Sequence, residues 1–334
     1  MKILFDISWS GKTGIGRVSD AIKTRLLEDF NDITFIKFNI SKRNPFYSFL
    51  ISRAIKKHKF DIFISPGFFP PSSKVKSIIF FYDLGHLLNY SFFHKFFMYL
   101  IRPFYENVSL IVTDSDYILD DLKVWLKNYN VSIKRFYLGS ELPKIQRSNK
   151  SNLLNFNGDN YLFYPANFLP HKNHENLIKA FALIHLLNRS YKLYFTGKGT
   201  KQIKDLCYSL GVNSSVIFLG DVNDADLVDY YLNSSGLIFP SCYEGFGIPL
   251  VEALHLNVPI ACSDISVFKE VVKNAAIFFD PYDIEDIAKS MLILFKKNYP
   301  EKLYSNAKKI RVNYSFDKFY QHLKKQIYFV ANEK

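Results

Sequence analysis

The stretch FLGDVNDADLVDYYLNSSGLIFPSCYEGFGIPLVEAL, residues 218–254, holds one full repeat of the pattern that decides the fold. An apolar run ends at Leu219, and Asp224-Ala225-Asp226 reads as the acidic start of a helix. Gly236–Phe239 is then a short strand with no polar side chain, and a glycine-rich turn leads from it into a second helix starting near Gly247. A strand that is apolar at every position is buried on both faces. Such strands alternating with helices form parallel sheets.

Working outward, Tyr161–Pro165, Tyr191–Thr196, Val216–Leu219, Pro259–Cys262 and Ala276–Phe279 read as strands of the same set. An earlier set comprises Lys2–Ile7, Ile33–Asn39, Asp61–Ser65, Ser77–Tyr82, Ser109–Thr113 and Ile133–Tyr137. Helix-like segments lie between them at Gly16–Phe30, Pro45–Lys57 and Asp116–Asn128. The two sets are separated by PKIQRSNKSNLLNFNGDN, residues 143–160, which is polar and lacks sustained periodicity. The pattern predicts an α/β protein of two doubly wound Rossmann-like domains, 1–145 and 159–314. They are expected to face a cleft, with ligands beyond the carboxyl ends of the strands.

Composition narrows the class. The chain has 334 residues, 48% of them apolar and 22% charged, which excludes a disordered chain and allows two cores of ordinary size. Three widely spaced cysteines, Cys207, Cys242 and Cys262, form neither a disulfide framework nor a C-x-x-C metal signature, and fit a reducing cytoplasm. The apolar run around Asp6 is too short for a signal peptide, and the longest uncharged stretch, Leu206–Gly220, is too polar to span a membrane. The net charge of +12 is lopsided: residues 1–150 carry 23 Lys and Arg against 13 Asp and Glu, and the remainder 20 against 18. Between Lys37 and Tyr82, Asp61 is the only acid. That excess either faces a polyanion or merely keeps the protein soluble.

Several turns carry chemistry. Gly11-Lys12-Thr13 resembles the end of a P-loop, but Asp6 stands where its first glycine is needed. Gly14-Ile15-Gly16 could open a dinucleotide fingerprint, but Ser19 occupies the third glycine slot. What remains is a turn whose amides and Arg17 present donors at a helix start, suited to a diphosphate or to nothing more than a strand-to-helix connection. In YPANFLPHKNHENLI, residues 164–178, Lys172 lies at the mouth of a strand, and Asn173 is expected to cap the helix Glu175–Leu187. A second basic loop, Thr196–Thr200 with Lys198, follows the next strand. In EGFGIPLVE, residues 244–252, two glycines let a ligand approach the backbone, and Pro249 suits the first helical turn. Glu244 and Glu252 can accept hydroxyls of one elongated ligand, or serve as a cap and a solvated side chain.

GIGR at 14–17, PHKN at 170–173 and EGFGIPLVE together resemble the retaining family 4 glycosyltransferases of GT-B fold, and the likeness runs along almost the whole chain. The resemblance implies a sugar transferase using a nucleotide sugar (GDP-mannose, a UDP-sugar or dTDP-rhamnose). The helix at 315–332 would complete the first domain. Glu252 would hold the ribose, and Glu244 the transferred sugar together with the backbone of Phe246, Gly247 and Ile248. Lys172, Lys198, Arg17 and the Gly14–Gly16 turn would hold the diphosphate, and Tyr82 and Asp83 would join Glu244 in catalysis. The family often has His-Asp where this chain has Tyr82-Asp83, with His86 in a different slot. Many members also carry an Arg where Ala166 stands, with His171 here beside the lysine.

The implied chemistry is electrostatic and needs neither a protein nucleophile, a metal nor another cofactor. Asp114-Ser115-Asp116 and Asp224-Ala225-Asp226 match the D-x-D metal signature of the other large glycosyltransferase fold, and both read as helix starts here. The aromatic stretch from Tyr90 to Tyr105, with Lys95 and Arg102 on one helical face, reads either as a core helix or as a patch leaning on anionic lipid. The expected partners are therefore a nucleotide sugar, a lipid-linked saccharide of an O-antigen or capsule type, and the inner surface of a bacterial plasma membrane. No nucleic acid is expected. The competing readings are a polyanion-binding protein and a catalytically silent nucleotide-sugar binder.

Overall fold

The structure is a computed structural model describing residues 1–11, 14–39, 46–85, 92–140 and 160–333, with the side chains of 92–94 outside the description. The chain divides into two compact units, one built from Met1–Gly139 and the segment from Ser315 onward, the other ending at Tyr314. Most of the polar stretch 143–160, together with Lys12, Thr13 and His86, lies outside the described residues.

The first unit is a six-stranded parallel sheet of β1 (Ile3–Asp6), β2 (Ile33–Ile36), β3 (Ile62–Ser65), β4 (Val75–Phe80), β5 (Val108–Thr113) and β6 (Ile133–Arg135), in the order β2-β1-β3-β4-β5-β6. The described helices are α1 (Gly14–Asp29), α2 (Tyr47–Ile55), α3 (Phe92–Ile101) and α4 (Asp116–Trp125). Leu4, Phe63, Ile79 and Ile111 of the strands pack against Tyr47, Ile51, Met98, Ile101, Ile118 and Leu122 of the helices. Each fully buried side chain of this size contributes about 1.5–3 kcal/mol. The sheet's apolar strands are thus covered, as continuous hydrophobic runs require.

The second unit repeats the plan. Its strands are β7 (Asn160–Tyr164), β8 (Tyr191–Phe195), β9 (Val216–Phe218), β10 (Gly236–Phe239), β11 (Ile260–Ser263) and β12 (Ile277–Phe279), all parallel, in the order β12-β11-β10-β7-β8-β9. The helices are α5 (His174–His185), α6 (Lys201–Ser209), α7 (Asp224–Asn233), α8 (Ile248–Leu256), α9 (Ser266–Val272), α10 (Ile284–Phe295) and α11 (Glu301–Ile310). The strand order reverses between β7 and β10, so the loops after these two strands diverge and leave a crevice at their carboxyl ends.

After Tyr314 the chain returns to the first unit as α12 (Phe316–Asn332). Charge and hydrogen bonding hold it there. Arg25 pairs with Asp317 at 2.5 Å, Asp29 pairs with Lys324 at 2.8 Å, and the Tyr320 hydroxyl donates to the Arg25 carbonyl at 2.9 Å.

Some local expectations change. The strand predicted over Ile33–Asn39 ends at Ile36, and α1 begins at Gly14 rather than at Gly16. Ser115 caps α4 by accepting from the Ile118 amide, and Asn223 caps α7 by accepting from the Asp226 amide. Both D-x-D stretches are therefore helix starts.

Candidate functional site

The motif residues of the second unit follow β7 and β10, the two strands at the switch point. After Tyr164 the chain runs to a 3-10 turn, Pro170–Lys172, and then to Asn173, whose φ of 60° is left-handed. Asparagine tolerates that region because its short side chain bonds locally. Here the Asn173 amide nitrogen donates to the carbonyls of Pro240 (3.1 Å) and Pro281 (2.7 Å), and makes no capping bond to α5. The expected N-cap is thus a bracket between three loops. The left-handed turn aims the side chain away from the helix amides.

The two sides of the crevice are tied further. The Tyr164 hydroxyl donates to the Lys172 carbonyl at 2.8 Å and lies 3.1 Å from the Ser241 hydroxyl, while the Cys242 amide donates to the His171 carbonyl at 2.8 Å. Burial, and secondarily the charge of Glu244, push the Tyr164 phenol well above its ordinary value, so it stays a neutral donor.

On this frame Lys172 Nζ meets Glu244 Oε1 at 2.5 Å, with the two side chains only 14% and 12% exposed. The charged pair stands at the topological switch point. Beside it, the His174 ring lies among Tyr164 (4.8 Å), Phe168 (4.4 Å) and Phe195 (5.1 Å). Its Nε2 has no partner among the described residues. Burial, and then the neighbouring Lys172 charge, push this imidazole down to about 3, so it is neutral. His171, next to the lysine, is lowered for the same two reasons.

The turn after Glu244 depends on glycine. Gly247 has φ of 97°, and a Cβ there would meet Leu250 and Phe268 at 3.1 Å. Phe246 is buried with its ring against Tyr314 at 5.8 Å. Ile248 opens α8, with Pro249 in its first turn. One turn on, Glu252 is 2% exposed and accepts from the Tyr231 hydroxyl at 2.8 Å. Tyr231 is fully buried on α7 and is absent from the sequence-derived site residues. Its only sequence signal is a tyrosine near the end of a helix facing the EGFGIPLVE segment. Lys198 is exposed in the loop after β8, the neighbour of β7, where Gly197 and Gly220 exchange backbone hydrogen bonds.

The first unit places its candidates at the carboxyl edge of its own sheet. Gly14 is exposed, Gly16 buried and Arg17 half-buried at the start of α1. A Cβ on Gly16 would stand 2.1 Å from the Gly11 carbonyl oxygen, so the turn closes on that glycine. Asp83 accepts from the Gly85 amide at 2.8 Å. Tyr82 is buried and stacked on Phe80 at 5.9 Å, and its hydroxyl has no partner among the described residues. Burial, then the Asp114 carboxylate, hold the Tyr82 phenol well above its ordinary value, so it can donate but not ionise. Asp6 accepts from Ser65 Oγ and the Ser8 amide, both at 2.8 Å.

Two doubly wound parallel six-stranded sheets covered by helices are the α/β architecture of the GT-B class. Residues 146–310 match the family Glycosyl transferases group 1. The chain is 28% identical over 214 residues to the serotype-specific mannosyltransferase WbdA of Escherichia coli, covering 58% of this chain and 26% of that protein. It is 29% identical over 257 residues to the O-antigen chain mannosyltransferase B of Escherichia coli, covering 72% of this chain and 66% of the relative. Among solved structures, WaaG, a glycosyltransferase involved in lipopolysaccharide biosynthesis, superposes with a TM-score of 0.78 at 15% identity, covering 97% of this chain and 99% of that one. Residues 146–310 are thus a glycosyl transferases group 1 region. The chain spans about a quarter of the length of WbdA and about two thirds of mannosyltransferase B.

Proposed function

We propose that the chain is a retaining hexosyltransferase. It takes a hexose from a nucleotide sugar, with GDP-mannose ahead of UDP-sugars and dTDP-rhamnose, and moves it to a hydroxyl of a lipid-linked saccharide in O-antigen or capsule-type assembly. The single observation that carries this reading is the placement of Lys172, Glu244 and Glu252 at one switch point. The mannosyltransferases among its relatives support the choice of sugar and pathway class.

In this reading Lys172 and Lys198 neutralise the donor diphosphate. Glu252 accepts from the ribose hydroxyls. Glu244 and the backbone of Phe246, Gly247 and Ile248 hold the hexose. The bond from the anomeric carbon to the β-phosphate oxygen breaks as the acceptor hydroxyl attacks from the same face, and the hydroxyl proton leaves on the departing phosphate. The side chains act by stabilising charge that grows on the leaving group. Tyr82 supplies a neutral hydroxyl where many relatives place an imidazole, and Asp83 shapes the turn beside it. Transfer requires no divalent metal and continues in chelator.

The first unit also supplies a surface for an anionic membrane. On α3, Phe97, Met98 and Ile101 are buried, whereas Phe96, Tyr99 and Leu100 are each more than half exposed, as are Phe46 and Phe49 near α2. Exposed aromatic side chains with Lys95 at their margin suit an interfacial contact. Arg102 takes no part in it: its guanidinium packs over Tyr99 and Trp125 at 5.0 and 5.6 Å and donates to the Trp125 carbonyl. The protein then acts peripherally on the cytoplasmic face. No helix among the described residues is long and apolar enough to cross a membrane. A transfer assay decides the main reading: Glu244→Ala and Glu252→Ala are each expected to abolish sugar transfer, and undiminished transfer in both would overturn it.

A further inference from the structure

The groups assigned above to two different parts of the donor, Lys172 for the diphosphate and Glu244 for the hexose, are bound to each other in the resting chain at 2.5 Å. Both side chains are largely buried. The backbones that carry them cannot easily separate, because Tyr164, Cys242 and Asn173 stitch the 170–173 turn to the 240–242 loop by hydrogen bonds of 2.8–3.1 Å. A ligand that takes the lysine must therefore draw Nζ off the carboxylate while the carboxylate stays where it is.

We infer that the Lys172–Glu244 ion pair selects the intact nucleotide sugar over the free nucleoside diphosphate. The inference rests on the proposed diphosphate role of Lys172. An intact donor replaces the pair completely: its diphosphate takes the ammonium and its hexose hydroxyls donate to the carboxylate. A nucleoside diphosphate takes only the ammonium. Glu244 is then left largely buried, without its counter-charge and beside a polyanionic ligand, an arrangement more costly than the intact pair. The product is thereby bound more weakly than its phosphate contacts alone would allow, and product release is favoured without loss of donor affinity. Glu244 acts on anion affinity as a competitor for Lys172, a role separate from its contact with the sugar.

Inorganic pyrophosphate is the probe, because it carries the diphosphate charge without a base or a sugar. In calorimetric titration of the full chain, Glu244→Gln is expected to bind pyrophosphate at least about 10-fold more tightly than the unmodified chain, equivalent to about 1.4 kcal/mol. Glu244→Ala is read alongside it, so that a folding defect in one variant does not decide the matter. In a Lys172→Met background the gain from Glu244→Gln is expected to shrink below about twofold, or binding to vanish in both forms, since the competition has lost its object. Two results overturn the inference: no tightening in either Glu244 variant, or an undiminished gain in the Lys172→Met background, which would mean simple repulsion of the anion. Sugar transfer by the unmodified chain is measured separately. Intact transfer without tightening sinks only the selectivity role, whereas tightening without transfer sinks only the transferase reading.

Discussion

The carboxyl edges of the two sheets are built from the same architecture and are equipped differently. In the second unit Lys172 is paired with Glu244, Glu252 is held by Tyr231, and Asn173 brackets three loops, so the polar groups stand preassembled. In the first unit Asp83 is engaged by the amide of its own turn and Asp6 by two serine groups, while the Tyr82 hydroxyl has no partner among the described residues. Groups held in place by their partners suit a ligand of fixed chemistry, one that meets the ammonium and the carboxylate together. An edge with a waiting hydroxyl suits a more variable ligand. Charge follows the same division: residues 1–139 and 315–334 carry 24 Lys and Arg against 14 Asp and Glu, and residues 140–314 carry 19 against 17.

The difference is broken most severely at the second unit. Glu252→Ala is expected to lower kcat/KM for sugar transfer by about 100-fold or more, as removal of a directly engaged charged group does. Loss of comparable size from Asp83→Ala would erase the distinction between the two edges.

Acid should also act on the second unit, through His174. Its folded value of about 3 lies below the ordinary 6.5, so the unfolded chain takes up the proton first. Stability is therefore full above pH 6.5 and falls as the pH drops from there toward 3, by as much as about 1.4 kcal/mol per unit. Urea unfolding at pH 7 and pH 5 measures this slope, and His174→Phe is expected to flatten it.

A smaller effect is expected from Tyr231→Phe. A hydrogen bond to a carboxylate contributes about 1.5–3 kcal/mol, so nucleotide affinity should fall about 10-fold. Transfer at saturating donor should change far less, because Tyr231 positions Glu252 and touches no reacting atom. A fall in kcat equal to the fall in affinity would contradict that positioning role.

The smallest change in stability is expected at Tyr82. Tyr82→Phe removes a buried hydroxyl that has no partner among the described residues, so the folded state should shift by no more than about 0.5 kcal/mol, toward greater stability. If that hydroxyl meets the substrate, transfer falls while the melting temperature does not. A destabilised variant would show that the hydroxyl already has structural work.

Much of the fold was legible because parallel strands covered on both faces must be apolar at every position. Gly236–Phe239 is such a run, and it is a buried strand of the second sheet. Asp114-Ser115-Asp116 and Asp224-Ala225-Asp226 were legible as starts of helices because capping is local chemistry. Asn173 was not: the same residue type before a helix predicts a cap, but two distant proline carbonyls compete for its amide and win. Tyr231 was hidden for a related reason, since its partner is 21 positions away and the contact exists only after α7 packs beside α8.

By itself the sequence determined two strand–helix domains, the polar break between them, and turns at Lys172 and Glu244 able to receive a phosphorylated sugar. Those features follow from burial periodicity and from backbone freedom at glycine, which act within a few residues. Only the tertiary structure decided that β10 lies beside β7, and so that Lys172 and Glu244, 72 positions apart, neutralise each other. Strand order is settled by how helices cover both faces of a sheet. Two charges far apart in sequence can rest together at low exposure only when that packing has brought them within reach.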